Sequence, residues 1–349
     1  MAALDGAAGI GVLLYVFVTG LHLDVGALRA DARRLGGIAL GSVVVPLLLG
    51  LGAGAWILAQ APGVLGPAGD RLLFLAAVAI CVAVTALPVL AAVLQEAGML
   101  GTRLGQTGLA LAALNDLALW LMLAILLAVS GSHGGPQALA MLTAAVAWGC
   151  TLVFAIRPLL TRLAGSDGQT ALVVGVALAL LSASLSEALG TGYLIGAFLA
   201  GLVMPPACRP ALLARLEMVT ATVLLPFFFM STGLKAFMQP GSAGFWALLA
   251  VTTGATIIGK VAGTALPARA LGFAWRDALS LGAMMQTKGL MEVVVLAVLN
   301  DAGLIGRDIF SAMVAMAVLC TVATAPAIRL IQSYGAVRPG AAAAPDLRR

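Results

Sequence analysis

Charge is what this chain has least of. Lys and Arg together number 19 and Asp and Glu 14 among 349 residues, 9% in all, where a water-soluble domain carries roughly 25%. That scarcity rules out a solvated surface over most of the chain, and with it the reading of such a length as two soluble domains. Histidine falls to 2 residues and cysteine to 4. Cys81, Cys150, Cys208 and Cys320 stand far apart in or beside apolar segments, without the close pairs of a zinc site or a disulfide framework, so they read as packing residues. The net charge is +5, but the basic residues come singly and in pairs between apolar runs and form no face for nucleic acid. No cleavable leader is evident, because the first apolar run has no basic residue before it and is followed by many more.

What the chain has in abundance is apolar surface: 62% of its residues are hydrophobic and its mean hydropathy is +1.10. The lipid bilayer is therefore the expected solvent. About 20 residues cross the hydrocarbon core, and the sequence divides into about eleven runs of that order. They cover about Gly9–Leu23, Leu35–Ala59, Leu72–Gln95, Gly105–Ser130, Gln137–Leu163, Thr170–Leu189, Tyr193–Met204, Val219–Leu234, Gly244–Leu271, Ala278–Leu299 and Ile309–Ile331. The predicted fold is an all-α polytopic membrane protein with about 11 transmembrane helices, followed by an Ala/Pro/Arg tail over 336–349 that reads as disordered. Basic residues test the count, since they gather on the cytoplasmic side. Fourteen of the nineteen, from Arg29 to Arg349, fall in loops on one side; Arg71, Lys235 and Arg307 fall on the other, and Lys260 and Lys288 lie within spans. The basic loops and the C-terminus are thus expected in the cytoplasm. Pro206 to Leu216, where Arg alternates with Leu, reads as an amphipathic linker on the membrane surface.

The first and eighth runs share an aromatic stretch followed by Thr-Gly-Leu, at Thr19-Gly20-Leu21 and Thr232-Gly233-Leu234. An offset of seven helices inverts the second copy, a pattern of transporters built from inverted repeats. Two runs later, each copy is interrupted by polar or helix-breaking residues. The third run contains Val84-Thr85-Ala86-Leu87-Pro88, and the tenth contains Gln286-Thr287-Lys288-Gly289-Leu290-Met291-Glu292. Proline removes a backbone donor and frees a carbonyl that lipid cannot satisfy, so a broken helix is expected at Pro88, and Gly289 marks the corresponding break. Paired interruptions point to a site at the bilayer midplane. The plainer reading is a tolerated kink plus a structural Lys288–Glu292 ion pair one helical turn apart.

Asn115-Asp116 sits in the middle of the fourth run. An ionised Asp there costs about 2.5 to 3.5 kcal/mol on the insertion scale, so it needs a partner or a water-filled cavity. Lys260 of the ninth run is the candidate partner, and a static Asp116–Lys260 bridge is the plain reading. The functional reading is a carboxylate that loads a proton and a cation in turn: desolvation favours the protonated form of a carboxylate, and a nearby cation favours the ionised one. Asp116, Asn115, Thr85 and the carbonyls near Pro88 supply the several oxygens an alkali cation needs. Glu187 reads as a solvated helix-end acid, and His22 beside Asp24 as an interfacial residue, with pH sensing the lesser alternative.

These residues together resemble the cation:proton antiporter superfamily, most closely the branch of plant cation/proton exchangers and bacterial potassium-efflux antiporters. The resemblance covers nearly the whole chain. It is carried by Thr19-Gly-Leu-His-Leu-Asp24, Val84-Thr-Ala-Leu-Pro-Val-Leu90, Asn115-Asp-Leu-Ala-Leu-Trp120, Gly196-Ala-Phe-Leu-Ala-Gly201, Gly259-Lys-Val-Ala-Gly-Thr264 and Thr287-Lys-Gly-Leu-Met-Glu292. It implies an exchanger domain over 1–335, with a mobile core (about 9–130 and 219–331) holding two broken, crossing helices beside scaffold and linker helices (about 137–204) that form a homodimer. It implies that Asp116 carries the ion and the proton, that Lys260 pairs with the acidic motif, and that Thr85 lies at the crossing. Two departures stand out. The family has one or two helices before the span matching Gly9–Leu23, so either a truncated N-terminus or a reduced scaffold is expected. The motif also reads Asn-Asp where two carboxylates occur elsewhere, which by resemblance goes with electroneutral one-for-one exchange of K+ or Na+ for H+. The Ala- and Gly-rich composition suggests a bacterial inner membrane.

Three other functions compete. A sodium-coupled organic-anion symporter needs a polar substrate cavity that so few polar residues hardly supply. A non-transporting partner subunit would account for missing first helices. A channel would need a filter-like glycine repeat, which the spans lack. No covalent chemistry and no cofactor are expected.

Overall fold

The computed structural model describes residues 2–22, 32–130, 135–163, 168–189, 192–235 and 243–333. Asp24 and the tail 336–349 lie outside them. The described residues are helical almost throughout: α1 (Ala2–His22), α2 (Ala32–Gln60), α3 (Arg71–Ala83), α4 (Leu87–Glu96), α5 (Arg103–Ser130), α6 (Gly135–Thr151), α7 (Arg157–Leu163), α8 (Gly168–Ala188), α9 (Tyr193–Val203), α10 (Arg209–Val219), α11 (Leu225–Lys235), α12 (Ala243–Ala270), α13 (Trp275–Met285), α14 (Leu290–Asp301) and α15 (Arg307–Ser333). Single π turns, Leu152–Ile156 and Thr220–Leu224, join α6 to α7 and α10 to α11.

Local chemistry sets several of these ends. Asp70 starts α3 by accepting the amides of Leu72 and Leu73 at 2.8 and 3.0 Å, and Thr102 starts α5 by accepting that of Gly105 at 3.0 Å; both satisfy donors that a helix leaves orphaned at its N-terminus. Seven segments among the described residues are long and apolar enough to span a bilayer, and Gly6–His22 and Tyr193–Val203 are apolar but shorter. The tenth run is divided by its break, and a π turn interrupts the fifth, which is why neither forms one uninterrupted α-helix. The eighth run differs from the sequence reading at its start. The helix continues back from Val219 to Arg209, and Leu212 and Leu216, one turn apart, are buried in the cluster formed with α1, α8 and α9. Arg209 itself is tied to the end of α9 through the carbonyls of Met204 (3.1 Å) and Leu202 (3.0 Å).

The apolar interior forms two clusters. The larger joins α2–α5 and α11–α15; the smaller joins α7–α10. α1 contributes to both, with Val12, Tyr15 and Val16 in the larger and Leu13, Phe17 and Leu21 in the smaller, and α9 likewise splits Ile195 and Phe198 from Ala197 and Ala200. Helices approach most closely where small residues recur every fourth position, as lipid-embedded helices do for want of a hydrophobic drive between them. Gly41 of α2 faces Gly263 of α12, and a Cβ on Gly41 would sit 2.5 Å from the Gly263 carbonyl oxygen; Gly20 of α1 meets α9 at 2.4 Å from the Phe198 carbonyl oxygen.

Gly41→Val should therefore lower the thermal midpoint of the detergent-solubilised protein by the equivalent of about 1–3 kcal/mol. Gly52→Ala, on the same helix with open space around its Cβ, should leave it unchanged or raise it by about 0.5–1 kcal/mol.

Candidate functional site

The two interruptions read from the sequence are real breaks, and they lie against each other. α3 stops at Ala83, Val84 to Ala86 are extended, and α4 restarts at Leu87 with Pro88 in its first turn, where a missing N–H breaks no helical bond. α13 stops at Met285 and α14 restarts after Gly289, whose φ of 112° suits glycine alone and whose missing Cβ would meet Val89 at 2.8 Å. The Ala86 amide donates to the Thr287 carbonyl at 2.9 Å. The Thr85 hydroxyl donates to the Met285 carbonyl at 2.7 Å, and the Thr287 hydroxyl to that of Met284 at 2.7 Å.

Lys288 is fully buried and donates to the carbonyls of Cys81 and Val82, the latter at 3.1 Å, and to Glu292 at 3.2 Å. Its ammonium thus stands at the C-terminal end of α3, where four carbonyls lack helical partners and the dipole is negative. Glu292 stands in the first turn of α14, the positive end. The expected Lys288–Glu292 pair is present, and it also closes the broken end of another helix.

Asp116 on α5 is 0% exposed, and neither of its carboxylate oxygens has a hydrogen-bond partner among the described residues. The amide of Leu87, at the N-terminus of α4, lies near enough to act on its charge without meeting hydrogen-bond geometry. Nor does it form the expected bridge with Lys260. The two interact through space, but the Lys260 ammonium, also 0% exposed, donates to the Ser42 carbonyl at 3.1 Å. The reason lies four residues further along α2. Pro46 has no amide to offer the Ser42 carbonyl, and Lys260 takes its place. Ser42 also exchanges hydrogen bonds with the Asn115 side chain at 3.0–3.2 Å. Asn115 donates further to the Leu111 carbonyl at 3.1 Å and touches the Met285 sulfur at 3.4 Å.

Asn115, Thr85 and Lys260 are therefore joined to the breaks or to one another through Met285 and Ser42, and Asp116 alone is unbound. Ser42 and Pro46 escaped the sequence reading; the signal was a serine four residues before a proline inside an apolar run. Tyr15 of α1, buried and within electrostatic reach of Asp116, had none. His22 lies 3.8 Å from Glu217 of α10, and Glu187, exposed, accepts the Tyr193 amide at 2.8 Å as α9 begins. No group of three or more His, Cys, Asp or Glu side chains that could hold a metal occurs among the described residues.

Comparison with known proteins gives this arrangement a context. A family model described as the transmembrane part of sodium/hydrogen exchangers matches residues 3–330. The chain is 31% identical over 352 residues to cation/H+ antiporter 19 of Arabidopsis thaliana, covering 98% of this chain and 43% of that protein. It is 29% identical over 329 residues to the Na+/H+ antiporter NhaS4 of Synechocystis, covering 91% of this chain and 80% of that one. The chain thus spans less than half the length of the plant relative. Among solved structures, the sodium proton antiporter MjNhaP1 of Methanocaldococcus jannaschii shares the fold, with a TM-score of 0.58 at 15% identity over 95% of this chain and 83% of that one.

Lys288→Met removes the only side-chain donor to the Cys81 and Val82 carbonyls among the described residues and strands Glu292, which should cost about 3–5 kcal/mol of stability. Adding Glu292→Leu should restore at least half of the loss, read as the thermal midpoint of single and double variants.

Proposed function

The chain belongs to the sodium/hydrogen exchanger family, a family of multi-pass membrane transporters, and on that premise we propose that it exchanges K+ or Na+ for protons with Asp116 as the loading group. The observation that carries the reading is the buried carboxylate with no donor and no ion-pair partner among the described residues. A bare carboxylate in that position needs a positive charge. A proton bound to one oxygen supplies it, and so does an alkali cation held by both; the two exclude each other, which is the requirement for exchange. Asn115 and Thr85, each already anchored by its donor groups, keep oxygen lone pairs for a cation, and Lys260 is held back by the Ser42 carbonyl and so leaves the carboxylate available. One carboxylate carries one charge, so exchange is one for one and electroneutral.

The transport cycle moves two bodies by alternating access. The core comprises α2–α5 and α12–α15, with its two broken helices crossing at the site. α1 and α8–α11 form the scaffold, because α1 packs most extensively against α9 and α11; this differs from the division expected from resemblance, which placed α1 and α11 in the core. The inverted repeat, the full complement of about eleven crossings, a scaffold-mediated homodimer, a bacterial inner membrane and cytoplasmic basic loops complete the reading.

In everted vesicles, adding K+ or Na+ should collapse an imposed pH gradient through the parent chain and not through Asp116→Asn; an unimpaired Asp116→Asn would sink the assignment, and an inactive but folded parent would favour the partner-subunit role. In proteoliposomes the rate should not change with membrane potential. A current on an ion gradient would overturn the one-for-one stoichiometry.

A further inference from the structure

The structure holds a cavity of about 420 Å³ whose lining includes Leu123 and Leu127 of α5, Leu194 and Ile195 of α9, and the acids Glu187 and Asp301. A second, of about 150 Å³, shares Leu194 and Asp301 with it and extends along α1 to Val12. Both stop short of Asp116. Along α5 the residue between Asp116 and the cavity wall at Leu123 is Trp120, one helical turn from each; along α9 the residue one turn below Ile195 is Phe198. Their rings stack with centroids 5.3 Å apart at 28°, and Trp120 is 2% and Phe198 0% exposed.

Two further features separate this contact from ordinary packing. Both rings lie in the larger cluster, and through them α5, which belongs wholly to it, meets the helix whose opposite face belongs to the smaller. Buried indoles also normally find a partner for their N–H, yet Trp120 Nε1 is buried and has none among the described residues. The ring is held by stacking and apolar packing, with no polar tether among the described residues to break when it turns.

We propose that the Trp120–Phe198 stack is the gate between the acid-lined cavity and Asp116, and that it decides when an ion from that side reaches the carboxylate. The inference rests on Asp116 as the loading group. With the rings stacked, neither water nor a cation passes; when the α5 side shifts against α9, the rings part and the cavity extends to the carboxylate. Replacing the indole by a methyl group frees well over the ~30 Å³ share of one water, so the gate then stands open in every state.

The test is the reaction rate of a thiol at position 116 with a small cationic methanethiosulfonate, in a Cys150→Ser background because Cys150 is the exposed native cysteine among the described residues. Asp116→Cys should react slowly. Adding Trp120→Ala, or Phe198→Ala from the other side of the stack, should speed labelling at least tenfold, and adding Trp120→Phe, which keeps an aromatic pair, should leave it slow. Equal rates with and without Trp120→Ala or Phe198→Ala, in variants that elute as folded protein, would overturn the gate. Should one alanine variant fail to fold, the other decides. Because labelling needs no transport, an inactive parent with gated labelling would refute the exchange reading and leave the gate standing, and active exchange with ungated labelling would do the reverse.

Discussion

Everything at the centre of this protein depends on two broken helices satisfying each other. In hydrocarbon an unpaired backbone group costs several kcal/mol, so a single break would be a liability. Here the Ala86 amide finds the Thr287 carbonyl, the Thr85 hydroxyl finds that of Met285, and the Lys288 ammonium covers the carbonyls of Cys81 and Val82. Each break supplies what the other lacks. The charged residues nearby follow the dipoles of the half-helices: an ammonium at the C-terminal end of α3, a carboxylate at the N-terminal end of α14, and Asp116 near the first amide of α4.

Against that background, a buried carboxylate with no hydrogen-bond partner on either oxygen among the described residues has meaning. Lys260 and Lys288 are both fully buried and both spend protons on backbone carbonyls exposed by a break or a proline. Two ammonium groups are thereby occupied without neutralising Asp116. Had Pro46 been any other residue, its amide would have closed on the Ser42 carbonyl and left Lys260 to seek another acceptor, with the carboxylate the obvious one. A proline on one helix therefore keeps an acid on another unpaired.

The two kinds of helix contact differ in what they permit. Where α2 meets α12 and α1 meets α9, backbones touch through glycine, and neither pair can slide without clash. Where α5 meets α9 the contact is a stack of two flat rings, which tolerates displacement. The proposed gate thus lies at a contact of side chains rather than of backbones, beside the cavity and one turn from the acid.

The sequence alone determined the class, an all-helical membrane protein, and the places where its helices break. Apolar runs, scarce charges, Pro88 and the polar cluster at 286–292 made the membrane solvent, the breaks and the oddity of a carboxylate at position 116 legible, because in lipid every departure from apolar, unbroken helix is costly and must have a cause. Partners were not legible. Asp116–Lys260 was the natural pairing of two opposite charges in separate spans, and only the fold revealed that Ser42, 218 residues from Lys260, stood closer. Nothing in the sequence paired Trp120 with Phe198. Pattern within a helix is written in consecutive residues at fixed spacing, whereas contact between helices depends on their rotation and depth, which glycine seams and mutually satisfied breaks decide only once the whole chain is packed.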